Sequence, residues 1–204
     1  MGSSTADRLN RGGELLATDP ALAQRLLGQG ICEAPHQAVA YYNLGISLHQ
    51  QGRIQAAIRA YKHCLQLPEA PLLQARNNLS QDLLLSGQWR QGWELYRHRF
   101  ERKPGNYTHF QKLFGEPHRG PLTPGQTLVL MSEQGLGDTL QFCRFGLELQ
   151  TQGLEVILLS QPALVPLLQE SSGLQRVVGH LNPDALGSGA VGWIPLLDLP
   201  AQLE

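Results

Sequence analysis

Residues 41–67 read YYNLGISLHQQGRIQAAIRAYKHCLQL, and residues 76–100 read RNNLSQDLLLSGQWRQGWELYRHRF. Sliding the first by 35 positions lays Asn43 on Asn78, Leu44 on Leu79, Gly45 on Ser80, Gly52 on Gly87, Ala57 on Gly92 and Tyr61 on Tyr96. Self-similarity at a period near ~34 residues marks a stacked helical repeat, each unit one helix pair. The match has a steric logic. Gly45, Ser80, Ala57 and Gly92 suit places where paired helices cross closely, and Leu44, Leu79, Tyr61 and Tyr96 suit the space between successive pairs. Gly52 and Gly87 stand where the first helix of each pair must end, and glycine is the least strained residue in a left-handed turn.

The N-L-G run, the later alanine and the aromatic four residues beyond it resemble the tetratricopeptide repeat, closely over 38–71 and in degenerate form over 72–103. An earlier unit around Leu15 to Pro35 is weaker, with Ala23, Leu27 and Pro35 one period before Ala57, Tyr61 and Glu69. About two and a half repeats are therefore expected over 1–103, with another element capping the stack.

Asn43 and Asn78 share one position on the first helices, the side that lines the concave groove in this family. An amide offers one acceptor and two donors, so it can pair with the backbone of an extended peptide. The O-linked N-acetylglucosamine transferases resemble this arrangement through their asparagine ladder, which implies a peptide or protein partner in the groove. The other reading is that Asn simply tolerates a solvated helix face. Trp89, Trp93 and Tyr96 have helical spacing, which predicts core. The run RHRFERK (97–103) reads as a solvated basic face.

Composition narrows the function classes. The 204 residues carry a formal net charge of −1, so there is no global field to draw in nucleic acid or an anionic membrane. No apolar run approaches the ~18 residues needed to span a bilayer, and MGSSTADRLN lacks the apolar core of a signal peptide. A cytoplasmic protein is expected. Cys32, Cys64 and Cys143 are odd in number and far apart, which points to reduced thiols. His36, His49, His63, His98, His109, His118 and His180 have no partner at metal-ligand spacing, so no metal is expected.

The pattern lapses over 104–125, a linker expected to pack irregularly, with a second domain over 126–204. TLVLM (127–131), LEVILLS (154–160), RVV (176–178) and WIPLL (193–197) read as buried strands. A helix is predicted over Asp138 to Gln152, with Leu140 on its apolar face, and a second in PALVPLLQES. This alternation indicates a parallel, Rossmann-like sheet whose unfinished state leaves an exposed edge. EQGLGD (133–138) then lies at the carboxyl end of the first strand, where open α/β sheets hold ligands. Gly135 and Gly137 let the backbone turn and approach a ligand, and Asp138 either leaves the helix N–H groups to an anion or caps them itself. No cofactor is expected. A dinucleotide fingerprint fails at Leu140 and at Ser160 and Gln161, and no Walker Gly-Lys-Ser/Thr is present.

QWRQGWELYRHRF, the Pro/Gly segment, TLVLMSEQGLGDTLQFCRF and LSQPALVPLL together resemble bacterial glycosyltransferases with tetratricopeptide repeats. The G-L-G-D turn is also similar to that of the lipopolysaccharide heptosyltransferases. Both groups have the GT-B fold, two Rossmann-like domains facing a cleft. The resemblance implies that Glu133, Gln134, Gly135, Gly137 and Asp138 form a ligand-binding loop, with Asp138 the candidate base for an acceptor hydroxyl. Two departures matter. EPHRG stands where members carry a tryptophan, and the chain stops at LLDLPAQLE, inside or just after the first Rossmann-like half. The expectation is a glycosyltransferase-related protein with the acceptor-side half, not catalytic alone, whose donor side is either lost or supplied by a nucleotide-sugar-binding partner chain. The alternative is a non-enzymatic adaptor that binds a peptide or protein through its repeats.

Overall fold

The computed structural model describes residues 4–102, 107–133, 135–182, 186 and 191–203. The chain divides into two compact units, Met1–Lys103 and Pro104–Glu204.

Among the described residues, the first unit forms three helix pairs: α1 (Thr5–Glu14) on α2 (Pro20–Glu33), α3 (Ala38–Gln50) on α4 (Ile54–Cys64), and α5 (Leu72–Leu85) on α6 (Trp89–Tyr96). A single turn, α7 (Arg99–Arg102), packs back on α5. The leading unit expected around Leu15 to Pro35 is thus a complete pair that begins at Thr5. It is hard to read because α1 is polar over most of its length. Capping sets its start: the Ser4 hydroxyl accepts from Asp7 N–H and the Asp7 carboxylate accepts from Ser4 N–H. Asp19 caps α2, with Pro20 at the first helical position. Arg8 and Thr5 both bind Glu33, tying α1 to α2.

The close crossings fall on glycine. A Cβ on Gly45 would stand 2.4 Å from Tyr61 Cε1, one on Gly12 2.7 Å from Leu27 Cγ, and one on Gly92 2.7 Å from Leu84 Cδ2. Tyr61, Leu79, Leu83, Ile58 and Leu48 form the central core, each contributing roughly 1.5–3 kcal/mol by burial. Gly52 (φ +71°) and Gly87 (φ +77°) take the left-handed turns that end α3 and α5. Two expectations change. Trp89, expected in the core, is 61% exposed because it opens α6 one turn ahead of the buried Gly92. Arg99, expected on a solvated face, is buried, with its guanidinium 4.8 Å from the Tyr96 ring centroid.

The second unit contains α8 (Tyr107–Phe114) within the stretch expected to pack irregularly. Phe110 is buried and packs with Tyr107 against Trp193, at ring-centroid distances of 5.6 and 5.3 Å. β1 (Thr127–Met131), β2 (Glu155–Leu159), β3 (Arg176–Val178) and β4 (Val191–Pro195) form a parallel sheet in the order β3-β2-β1-β4 among the described residues. Leu128 to Met131 are fully buried, as suits a central strand. Helices α9 (Leu136–Phe142), α10 (Arg144–Thr151), α11 (Val165–Ser171) and α12 (Leu199–Leu203) complete the unit. The one helix expected over Asp138 to Gln152 is therefore two. The break falls at Cys143, whose N–H keeps its bond to the Thr139 carbonyl while its own carbonyl accepts from Gly146 N–H; its thiol donates to the Leu140 carbonyl, and Leu140 is left 45% exposed. Of the two sheet edges, β3 and β4, the second is met by the chain that follows α8. His118 N–H donates to the Trp193 carbonyl at 2.8 Å, and Trp193 Nε1–H donates to the Gly115 carbonyl at 2.9 Å, so the chain after α8 runs along β4.

Candidate functional site

A groove of about 500 Å³ lies between α1 and α3 in the first unit, with Thr5, Leu9 and Asn10 on one side and Gln37, Val39 and Asn43 on the other. Asn10 repeats Asn43 at an offset of 33, and each is followed two positions later by a crossing glycine, Gly12 or Gly45. Sequence reasoning missed Asn10, although the N-x-G signal was available. Arg11 stands where the second unit has Leu44, which hides the match. Asn43 Nδ2 lies only 3.2 Å from where a Gly13 Cβ would be, so its amide reaches across onto α1. Neither the Asn10 nor the Asn43 amide has a hydrogen-bond partner among the described residues. None of the lining residues carries a charge, and Val39 adds an apolar surface that is 52% exposed.

Asn78 behaves differently from Asn43. Its Nδ2 donates to the Tyr61 hydroxyl at 3.4 Å. Burial pushes the Tyr61 phenol well up, with the Asn78 bond opposing the rise. The third amide is thus turned toward the core. Beside it sits a pair that spacing alone does not announce: His49 Nδ1 and Asp82 Oδ1 are 2.5 Å apart, linking α3 to α5. The Asp82 side chain is fully buried and its Oδ2 has no partner. Burial raises the Asp82 carboxyl above its ordinary range, while the His49 hydrogen bond and charge work against that rise.

In the second unit, Gly135 is the N-cap of α9 and Asp138 its third residue. The Asp138 Oδ2 reaches back to accept from Gly135 N–H at 3.3 Å, half of a capping box. Neither Gly135 nor Gly137 has a positive φ, so neither is there for a left-handed turn. Glu133 Oε1 accepts from Leu197 N–H at 3.3 Å, and Thr139 Oγ1 donates to Gln161 Oε1 at 2.9 Å. These bonds tie the loops after β1, β2 and β4 together at the carboxyl end of the sheet. Gln134 lies outside the described residues.

Among the described residues no cluster of three or more His, Cys, Asp or Glu could hold a metal ion, and no helix is long and apolar enough to cross a membrane. Cys32 is exposed; Cys64 and Cys143 are buried, and burial pushes both thiols up.

The tetratricopeptide-repeat family model matches residues 38–67. Protein FlbA of Caulobacter vibrioides is 31% identical over 111 residues, which cover 53% of this chain and 18% of FlbA. A mutant O-GlcNAc transferase from Thermobaculum terrenum aligns at 17% identity and a TM-score of 0.43, over 91% of this chain and 44% of that one. The chain therefore spans 18% of the length of the curated relative it matches and 44% of that structure.

Proposed function

We propose that this chain is a polypeptide-binding protein whose repeats, over 1–103, hold a segment of a protein partner in the groove between α1 and α3. The observation that carries it is the pair of unpartnered amides, Asn10 and Asn43, in that groove. A carboxamide is the natural complement of a peptide group, and stacked repeats use their concave faces for binding. The repeat match at 38–67 supports the same reading. A photo-crosslinking side chain placed at Val39 in the full chain should capture the partner in the cells that make it. Asn10→Ala combined with Asn43→Ala should abolish that capture. Unchanged capture by the double variant would sink the proposal.

A second reading rests on the α/β half, 126–204, joined to the repeats through 104–125. It makes the chain glycosyltransferase-related, the acceptor-side half of a GT-B fold, with a partner chain supplying the nucleotide-sugar site. Its support is the strand order β3-β2-β1-β4, in which β1 lies beside β4 and connections run to either side. Open α/β sheets bind ligands at the carboxyl end of such a switch point, and Glu133 and Asp138 stand there. The cap bond gives Asp138 a structural duty, which makes this the weaker reading. If Asp138 is the base, Asp138→Asn lowers sugar transfer by the assembled complex at least ~100-fold. Transfer that survives Asp138→Asn removes Asp138 from the chemistry.

A further inference from the structure

We infer that the seam between the second and third helix pairs, α3–α4 against α5–α6, is a pH-sensitive joint. The His49–Asp82 pair closes it in acid and holds it less firmly as pH rises, while the seam between the first and second pairs does not respond over the same range. Neither His49 nor Asp82 lines the groove between α1 and α3, so the joint is independent of what that groove holds.

The repeat register sets the two seams apart. The 35-residue shift lays Ser47 on Asp82 and Gln51 on Ser86, and Ser47 and Asp82 are both fully buried. At the first seam, Ser47 Oγ donates to the Pro20 carbonyl on α2. The Gln51 amide donates to the same carbonyl at 3.2 Å and to Gln24 Oε1 at 3.1 Å, and Arg53 Nη1 donates to Gln24 Oε1 at 3.0 Å. Hydroxyl, amide and guanidinium groups each keep one charge state at ordinary pH. At the second seam these donors are gone. The Ser86 hydroxyl donates to the Leu83 carbonyl of its own helix, and Asp82 Oδ1 instead meets His49 Nδ1 on α3 at 2.5 Å. Two titratable groups therefore stand where the preceding seam uses groups that do not titrate.

The surroundings of Asp82 disfavour its anion. Its side chain is buried, its Oδ2 has no partner among the described residues, and it lies in the last turn of α5, beside the negative end of the helix dipole. His49 lies in the last turn of α3, where a cation is favoured. Burial raises the Asp82 carboxyl, and the His49 hydrogen bond and charge oppose that rise. From α4 the Tyr61 phenol faces the same space, and the Asp82 charge adds to the upward push that burial gives it. Charges on the other packed elements are directed elsewhere. Glu94 pairs with Arg97, Glu101 with His98, and Arg99 lies over the Tyr96 and Phe100 rings. Arg90 on α6 and Arg59, Lys62 and His63 on α4 are exposed.

The sign follows from linkage. A group whose folded pKa is raised stabilises the fold below its unfolded pKa, and that stability is lost as pH rises through the folded pKa. In acid the carboxyl is neutral, its burial costs little, and Oδ1 still accepts from His49. As pH rises a negative charge appears in a dry seam, and loss of the His49 proton withdraws the charge that opposes it. Both steps weaken the same seam. Asp7 and Glu33 in the first pair act the other way. The Ser4 hydrogen bonds lower the first and those from Thr5 and Arg8 lower the second, so what they contribute is complete above the ordinary carboxyl range. The first pair is thus a level reference at higher pH.

The test follows deuterium exchange in the full chain from about pH 5 to about pH 8, a span above the ordinary carboxyl value and across the ordinary imidazole value. Protection is corrected for the intrinsic pH dependence of exchange. Amides of α5 and α6 should lose protection by about tenfold relative to those of α1 and α2. Asp82→Ser restores the hydroxyl of the Ser47 position and should level this response, with protection near pH 8 (about the top of the span) at least that of the native chain. Asp82→Asn, nearly identical in shape, should level it too. An unchanged ratio between the two pairs overturns the inference, as does a gain in α5 and α6 as pH rises. So does a response that persists in both variants, provided circular dichroism shows that they keep their helices. The comparison of pairs within the native chain needs no variant, so misfolding of one cannot obscure it.

Discussion

Truncating His49 to Ala isolates a buried carboxylate. The Asp82 side chain is 0% exposed and its Oδ2 is unpartnered, whereas 42% of the His49 side chain faces solvent. Burial raises the Asp82 carboxyl, and His49 opposes that rise. A group whose folded pKa exceeds its unfolded value stabilises the fold fully below the unfolded pKa. That stability is lost as pH rises through the folded pKa. Asp82 thus favours the fold in acid and weighs against it at neutral pH, and His49 limits the loss. Removing His49 raises the carboxyl further and deepens the deficit at neutrality. Stripping one partner from a wholly buried pair costs about 3–5 kcal/mol. One end of this pair is screened by water, so about 2 kcal/mol is expected near pH 7. In acid the variant's raised carboxyl takes up its proton, and the cost falls toward about 0.5–1 kcal/mol, that of a lost hydrogen bond. Deuterium exchange at α5 amides in the full chain reads these opening energies locally, without requiring two-state unfolding. Adding Asp82→Asn should remove the pH dependence. A cost below about 0.5 kcal/mol near pH 7, or an equal cost in acid, would refute the reasoning.

Gly45→Ala forces a Cβ to within 2.4 Å of the buried Tyr61 ring. Overpacking of about 1–3 kcal/mol outweighs the ~1 kcal/mol gain in helix propensity, so α3 and α4 should lose exchange protection. Gly28→Ala meets no atom within 4 Å and should stabilise α2 by about 0.8–1 kcal/mol; a loss there would contradict the open space described. Trp193→Phe removes the donor to the Gly115 carbonyl and should cost about 1–2 kcal/mol, read as faster exchange in β4; unchanged exchange would mean that this contact does not hold the strand. A disulfide reagent should modify Cys32 in the folded chain and reach Cys64 and Cys143 only after unfolding, since both are buried with raised thiol pKa. Rapid reaction of all three would exclude the packing around α4 and α9.

Much of the architecture was legible because it is local. Small and large residues recurring 35 positions apart announced the helix pairs, and Gly52 and Gly87 marked their turns. Short β-branched and apolar runs announced four strands, and their alternation with helices announced parallel pairing. Hydrophobic period and backbone sterics act over a few residues, so these features survive in a linear reading. The N-terminal pair was only half visible, because α1 is polar and closes its pair through Gly12 and Leu27, not a long apolar stripe.

For the candidate site, the sequence alone determined that Asn43 and Asn78 share a repeat position and that the 133–138 turn follows a strand. Tertiary structure decided the rest. It left Asn43 without a partner beside Asn10 and gave Asn78 to Tyr61. It also turned the Asp138 carboxylate back to Gly135 and brought His49 to Asp82. The physical reason is that a polar side chain has several acceptable partners. Which one it takes depends on distances between helices and loops remote in sequence, and periodicity carries no record of those distances.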